Sequence, residues 1–90
     1  MRPNPVKTKL AAGETVYGTM IFEFLSPGLP RILANAGSDF VFYDLEHSGF
    51  TIEDMKTQFA LCAGAGIIPF ARPPGKEYQF TSRLLDVGAF

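Results

Sequence analysis

The chain has too little excess charge of either sign to hold a polyanion. Its 90 residues carry 8 Lys and Arg against 9 Asp and Glu, a formal net charge of −1, with the two signs interspersed. Such a surface has no positive field to concentrate on phosphates and no polybasic anchor, so neither nucleic acid nor a membrane is expected as a partner. Long apolar runs are also missing. No segment approaches the ~20 apolar residues of a spanning helix, and the start of the chain, with Asn4, Pro5, Lys7 and Lys9, lacks the continuous apolar core of a secretory signal. The cytoplasm is the expected compartment. Cysteine is almost absent: the one thiol, Cys62, falls on the expected inner face of a helix, where a free thiol behaves as a small apolar group. Histidine is scarcer in its consequences, because His47 is the only one.

Apolar residues, in contrast, make up 47% of the chain, enough for one modest core and a single domain over residues 1–90. Gly13, Ser26-Pro27, Gly37, Gly49 with Thr51, Gly64 with Gly66, Pro73-Pro74-Gly75 and Gly88 punctuate it into segments of two alternating kinds. Asn4 caps a short leading helix with Pro5 at its first position, and Gly13 ends it. Val16 to Phe22 reads as a first strand. Ser26-Pro27 repeats the cap-plus-proline start, and Leu29, Ile32, Leu33 and Ala36 recur at helical spacing before Gly37.

Phe40-Val41-Phe42-Tyr43 is continuously apolar or aromatic, the pattern of a strand covered on both faces, and it ends at Asp44. Thr51 with Asp54 three residues later approximates a capping box, and Ile52, Met55, Phe59 and Cys62 mark one face of a helix stopped by Gly64 to Gly66. Ile67 to Ala71 is a third apolar strand. A helix from about Lys76 to Val87 follows, with Phe80, Leu84 and Val87 inward, and Ala89-Phe90 would begin a fourth strand.

This order predicts an α/β fold with parallel strands and right-handed crossovers. Every strand then needs a neighbour and both sheet faces need cover, which three strands cannot supply, whereas a (β/α)₈ TIM barrel takes about 250 residues. The expectation is therefore three βα units of a barrel, preceded by a short helix and truncated at the start of strand four. A small self-contained α/β domain is the alternative, at the cost of exposed edges on its first and third strands.

Reactive groups in barrels and open parallel sheets gather at the carboxyl ends of strands. Those ends carry Glu23, then Asp44, Glu46 and His47, then Arg72. Histidine titrates near neutral pH and carries protons, and arginine holds a carboxylate or a developing enolate through a planar fork of donors. Asp44 and Glu46 would orient the histidine or hold water on a metal, but Asp-x-Glu-His is not a complete ligand set for zinc or calcium. Gly64-x-Gly66 precedes a strand and does not lie between a strand and a helix, which fits a helix stop and not a phosphate cradle.

Asn4-Pro5 with Lys9-Leu10-x-x-Gly13, Ser26-Pro27, Ala36-Gly37-x-Asp39-Phe40, Asp44-x-Glu46-His47, Pro69-x-x-Arg72 and Leu85-Asp86-x-Gly88-Ala89 resemble the HpcH/HpaI aldolases, the class II pyruvate aldolases of a superfamily that includes the citrate lyase β subunit. The resemblance covers nearly the whole chain and implies reversible cleavage of a 4-hydroxy-2-keto acid to pyruvate and an aldehyde. It implies a divalent cation, Mg²⁺, Mn²⁺ or Co²⁺, acting as Lewis acid on the 2-keto acid, with ligands from later strands and none in this chain. It also implies His47 as acid/base, Arg72 stabilising the transition state, Asp86 raising the basicity of His47, and Asp44 and Glu46 near the metal's waters. The family's usual Arg-Val-Pro after strand three is Arg72-Pro73-Pro74 here. A homo-oligomer, typically a hexamer, is implied for the full-length protein, and a fragment without the later strands would be inactive. A citrate-lyase-like or acyl-CoA lyase barrel, or a non-catalytic remnant, are the other readings of the same residues.

Overall fold

In the computed structural model, which describes residues 2–90, local capping decides where the better-defined helices begin. Helix α1 (Pro5–Ala11) starts at Asn4, whose side-chain oxygen accepts the Lys7 N–H at 3.1 Å. Helix α3 (Ile52–Ala65) starts at Thr51, where a full capping box forms: Asp54 N–H donates to Thr51 Oγ1 at 3.1 Å and Thr51 N–H to Asp54 Oδ2 at 2.8 Å. It ends at Gly66, whose φ of +73° is the left-handed cap that glycine adopts without a Cβ penalty.

Between and after these lie β1 (Gly18–Ile21), α2 (Leu29–Asn35), β2 (Phe40–Asp44), β3 (Ile68–Arg72) and α4 (Tyr78–Asp86). The three strands form one parallel sheet in the order β1-β2-β3. Strand ladders and helices thus alternate as the sequence pattern requires, and the fold is three βα units behind a short leading helix. Among the described residues, no helix is long and apolar enough to cross a membrane.

The two faces of the sheet differ. Val41 and Tyr43 of β2 are fully buried and join Met55, Phe59 and Cys62 of α3, Ile21 of β1 and Leu84 of α4 in one core. The Tyr43 and Phe59 rings pack with centroids 5.8 Å apart. On the opposite face, Phe40, Phe42 and Phe70 are only half-buried and Met20 is exposed, with the Phe40 and Phe70 rings tilted against each other at 5.5 Å between centroids. Strand alternation assigns these residues to the face turned away from the α3 and α4 core, which no helix covers among the described residues. Gly18 pairs with Phe40 across the β1–β2 ladder, and a Cβ at this position would run into the Phe40 ring.

Several boundaries depart from the sequence reading. Strand β1 is four residues long instead of running from Val16 to Phe22, because Asp39 caps the entry by accepting the Tyr17 N–H at 2.9 Å and the chain leaves the sheet after Ile21. Ser26-Pro27 does not start α2 directly: Ser26 Oγ accepts from Gly28 N–H at 3.1 Å in a turn, and the helix follows with Pro30 in its first turn. Its buried residues are Leu29 and Pro30 with Leu33 and Ala34 partly covered, so Ile32, expected inward, is 63% exposed. Gly64 lies inside α3 and only Gly66 stops it. Strand β3 is shifted one residue later than Ile67 to Ala71 and includes Arg72. Helix α4 spans fewer residues than Lys76 to Val87, with Leu84 buried and Phe80 and Val87 half-buried. The continuous apolar run of β2, expected to be covered on both faces, is covered on one.

Lys9 on α1 reaches Asp39 at 2.6 Å and so ties the leading helix to the entry of β2. Phe90, expected at the start of a further strand, donates its N–H to the Pro69 carbonyl of β3 at 3.0 Å without forming a strand. Arg2 donates to the Gly88 carbonyl at 2.7 Å and its guanidinium lies 4.5 Å from the centre of the Phe90 ring.

Candidate active site

The register β1-β2-β3 brings two charged strand ends side by side, because Asp44, the last residue of β2, is paired with Arg72, the last residue of β3. Paired residues in a parallel ladder project to the same face, here the uncovered one. The carboxylate and guanidinium meet edge to edge. Arg72 Nε donates to Asp44 Oδ1 at 2.9 Å and Nη2 to Oδ2 at 2.7 Å, the bidentate geometry that fixes both planes.

After Asp44 the backbone turns back on its own side chain. The N–H groups of Glu46 and His47 donate to Asp44 Oδ1 at 2.9 and 3.3 Å, and Ser48 Oγ donates to the Asp44 carbonyl. This is an Asx-type turn, which explains why aspartate suits the end of this strand. Ser48 Oγ then accepts from Phe50 N–H at 3.2 Å, leading the chain toward the Thr51 cap. The local sequence between β2 and α3 is therefore a string of turn-forming hydrogen bonds that presents Glu46 and His47.

Asp44 is 2% exposed, and burial by itself would raise its pKa. The Arg72 hydrogen bonds outweigh that, with help from the two backbone N–H groups, and hold the carboxyl well below the usual carboxylate range. The Arg72 guanidinium is in turn held more firmly protonated by Asp44. Glu46 spans the cluster: Oε2 is 3.3 Å from Arg72 Nε, and Oε1 is 3.7 Å from His47 Nε2. Its side chain is 45% exposed and that of His47 is 67% exposed.

Four of the five residues given roles from the sequence are thus brought together, Asp44, Glu46, His47 and Arg72, while Glu23, also expected at a strand end, makes no hydrogen bond or ion pair with them among the described residues. The fifth, Asp86, is not brought to them. As the last residue of α4 it lines a groove with Lys56 and Phe59 of α3, and among the described residues it makes no ion pair with His47. The sequence reading paired Asp44 with Glu46 as groups near metal waters. In the structure both oxygens of Asp44 are engaged, and its position makes it the residue that orients Arg72.

Of the five N–H donors of a guanidinium, two go to Asp44, which leaves the remaining three, including both on Nη1, for an anion. The cluster can therefore hold an anionic oxygen through Arg72 and exchange a proton through His47. Among the described residues, no three His, Cys, Asp or Glu side chains converge as a metal centre. With Asp44 saturated, Glu46 and His47 are too few donors, so the residues present do not fit a divalent cation by themselves.

Sequence reasoning missed Gln58, a polar side chain buried inside α3. It accepts from Tyr43 OH at 2.8 Å and donates to the Ser26 carbonyl at 3.0 Å, linking β2, one residue before Asp44, to the loop between β1 and α2. Only its place one residue before Phe59 on the inner face of the helix could have signalled it.

No family model matches the chain. Among curated proteins it is 32% identical over 88 residues to a hydroxypyruvate/pyruvate aldolase of Paraburkholderia phytofirmans, covering 96% of this chain and 34% of that protein. It is 36% identical over 92 residues to a 4-hydroxy-4-methyl-2-oxoglutarate aldolase of Chaetomium globosum, covering 96% of this chain and 32% of that one. Among solved structures, an HpcH/HpaI aldolase from Desulfitobacterium hafniense superposes with a TM-score of 0.87 at 36% identity, covering 93% of this chain and 32% of that chain. The chain spans about a third of the length of the curated relatives it matches. In sequence and in fold the chain is similar to the N-terminal βα units of the HpcH/HpaI aldolase barrel.

Proposed function

We propose that this chain supplies the proton-transfer and anion-holding residues of a divalent-metal-dependent aldolase that reversibly cleaves a 4-hydroxy-2-keto acid to pyruvate and an aldehyde. The observation that carries the reading is the Asp44–Arg72 pair, with Glu46 and His47 beside it, at the carboxyl ends of adjacent parallel strands. The relatives are named as aldolases, and four of the five residues to which the family resemblance gives a role, Asp44, Glu46, His47 and Arg72, lie together in this chain.

In the cleavage direction, His47 takes the proton from the C4 hydroxyl as the C3–C4 bond breaks. The electron pair of that bond stays on the pyruvate fragment as its enolate, and the aldehyde leaves. The free N–H groups of Arg72 hold anionic oxygen of the fragment, with Asp44 keeping the guanidinium in place. Addition runs the same path in reverse, and His47 returns its proton to the new alkoxide. Asp86 raises the basicity of His47 only where an assembly brings the two together, since α4 holds it in the groove against α3. The metal requirement belongs to this reading and rests on ligands beyond Phe90. The chain alone is inactive, the complete barrel is a homo-oligomer, and the compartment is the cytoplasm.

The test replaces the matched third of the Desulfitobacterium hafniense aldolase with residues 2–90 and follows exchange of the pyruvate methyl protons in D₂O by NMR. A folded chimera is expected to catalyse exchange that EDTA abolishes, and His47→Ala or Arg72→Ala is expected to slow it by about 100-fold or more. A folded chimera without exchange, or variants that exchange as fast as the parent, would refute the assignment.

A further inference from the structure

Two buried side chains carry an amide or a carboxylate, Gln58 at 4% and Asp44 at 2% exposure, and there are no others among the described residues. They hold neighbouring residues of one strand. Asp44 ends β2 on the face where Arg72 meets it, and Tyr43, the residue before it, points to the helical face, where its hydroxyl donates to Gln58 Oε1 at 2.8 Å. The same amide uses its other end: Nε2 donates to the Ser26 carbonyl at 3.0 Å, in the loop that follows β1. Gln58 lies midway along α3, whose 14 residues are fixed at their start by the Thr51–Asp54 capping box. One amide on a well-anchored helix thus grips the end of β2 and the loop after β1 together.

This grip reaches the ion pair because aspartate is short. The Asp44 carboxylate stands one methylene from the backbone and follows it, whereas Arg72 approaches on a flexible stem, so the carboxylate decides where the guanidinium plane lies. The ladder from β1 ends at Tyr43, and past Asp44 the chain is already turning. The Tyr43 hydroxyl is therefore the last side-chain anchor before the carboxylate. Stability does not account for the amide, because an apolar side chain facing phenylalanine in place of tyrosine would fold about as well. What the hydrogen bond adds is direction, since it sets how far the end of β2 stands from α3.

We propose that Gln58 is a positioning residue, acting through Tyr43 on Asp44 and so on the aim of the Arg72 guanidinium. Its effect on turnover rests on the aldolase reading above. The parent is compared with Gln58→Met, with Tyr43→Phe, and with Ile67→Val, a core truncation that removes no hydrogen bond. In the 90-residue chain, ¹H–¹⁵N NMR reads the Arg72 Nε–H resonance, which reports its bond to Asp44 directly. It is expected downfield of those of Arg2, Arg31 and Arg83 in the parent and in Ile67→Val, and to move toward them in Gln58→Met and Tyr43→Phe. In the chimera carrying residues 2–90, pyruvate methyl exchange in D₂O gives kcat and KM. In both relay variants kcat is expected to fall about tenfold with KM within about twofold, as for a displacement of less than about 1 Å, while Ile67→Val stays near the parent. An Arg72 resonance unmoved by both relay variants would overturn the proposal, as would relay variants that exchange as fast as the parent or an equal fall in Ile67→Val. The two claims separate cleanly: a folded parent chimera that does not exchange sinks the aldolase reading and leaves the Arg72 resonance to decide the role of Gln58, and a parent that exchanges with an unmoved resonance loses only that role.

Discussion

The Tyr43–Gln58 contact gives a sharp test of how the strand carrying Asp44 is held. Tyr43 is fully buried and its hydroxyl donates to Gln58 Oε1 at 2.8 Å, with Cys62 Sγ a weaker neighbour at 3.7 Å. Burial pushes the phenol pKa far above its ordinary value, so the hydroxyl remains a neutral donor through the alkaline range. Gln58→Leu leaves that hydroxyl with only the thiol as partner, and Tyr43→Phe leaves Gln58 Oε1 without its donor. An orphaned buried polar group costs about 1–3 kcal/mol, whereas removing both partners together is close to neutral. Each single variant should therefore lower the urea midpoint by about 1–3 M, taking a slope of about 1 kcal/mol per M for a chain of this size. The double variant should lose less than the sum of the two, with a coupling of about 1–2 kcal/mol. Urea titrations of all four proteins followed by far-ultraviolet circular dichroism measure this directly. Strictly additive losses would show that the hydroxyl and the amide do not depend on each other, and the structural account of the network would fail.

Gly18→Ala should destabilise the fold by about 1–3 kcal/mol, because the added methyl runs into the Phe40 ring, and Phe40→Leu in the same chain should recover part of the loss; equal stability of Gly18→Ala and the parent in urea would disprove the contact. Asp44 has a carboxyl pKa depressed in the folded state, so its contribution is present above the ordinary value of 3.8 and is lost as pH falls below it toward the folded value. Thermal melts from pH 7 down to pH 3 should show a loss in the parent that is smaller in Asp44→Asn, and parallel curves for the two proteins would contradict the Arg72–Asp44 assignment.

How much of this was readable from the chain depends on how local each cause is. The Asn4 cap, the Thr51–Asp54 capping box and the Gly66 stop are decided by residues within one turn of each other, and all three were legible as sequence patterns. The order of strands and helices was legible for a related reason, since Phe40 to Tyr43 and Ile67 to Ala71 are apolar runs too short for helices and bounded by turn residues. The inward face of α2 was misjudged because Ile32 fits the helical period as well as Leu33 does, and only the direction from which β2 and α3 approach decides between them. The ion pair of Lys9 with Asp39 and the amide bridge from Gln58 to Ser26 span about 30 residues, and no local pattern encodes such a meeting.

For the site, chain position gave the location and register gave the pairing. That Asp44, His47 and Arg72 stand at strand ends follows from reading the strands, but which of them touch follows from β2 and β3 pairing Asp44 with Arg72. A shift of one residue in that ladder would turn Arg72 to the helical face and leave Asp44 buried without a cation. Asp86 shows the converse: its likeness to a family position says nothing of where α4 carries it within one chain.

The two faces of the sheet divide the work of the protein. On the helical side, Val41, Tyr43, Met55, Phe59 and Cys62 pack into one buried core, so substitutions there act on folding. On the other side lie half-buried aromatic rings, and at the carboxyl end of the strands the same face carries a carboxylate that is the only buried one among the described residues, with the arginine it orients. Burying Asp44 is unfavourable unless a cation meets it, and Arg72 does so while keeping donors free. The bidentate pair is therefore better explained as a device that aims Arg72 than as a source of stability, for an apolar pair would hold the two strand ends together without the desolvation cost. A buried strand-end carboxylate that fixes a guanidinium under that penalty is what the anion-holding role proposed for Arg72 calls for.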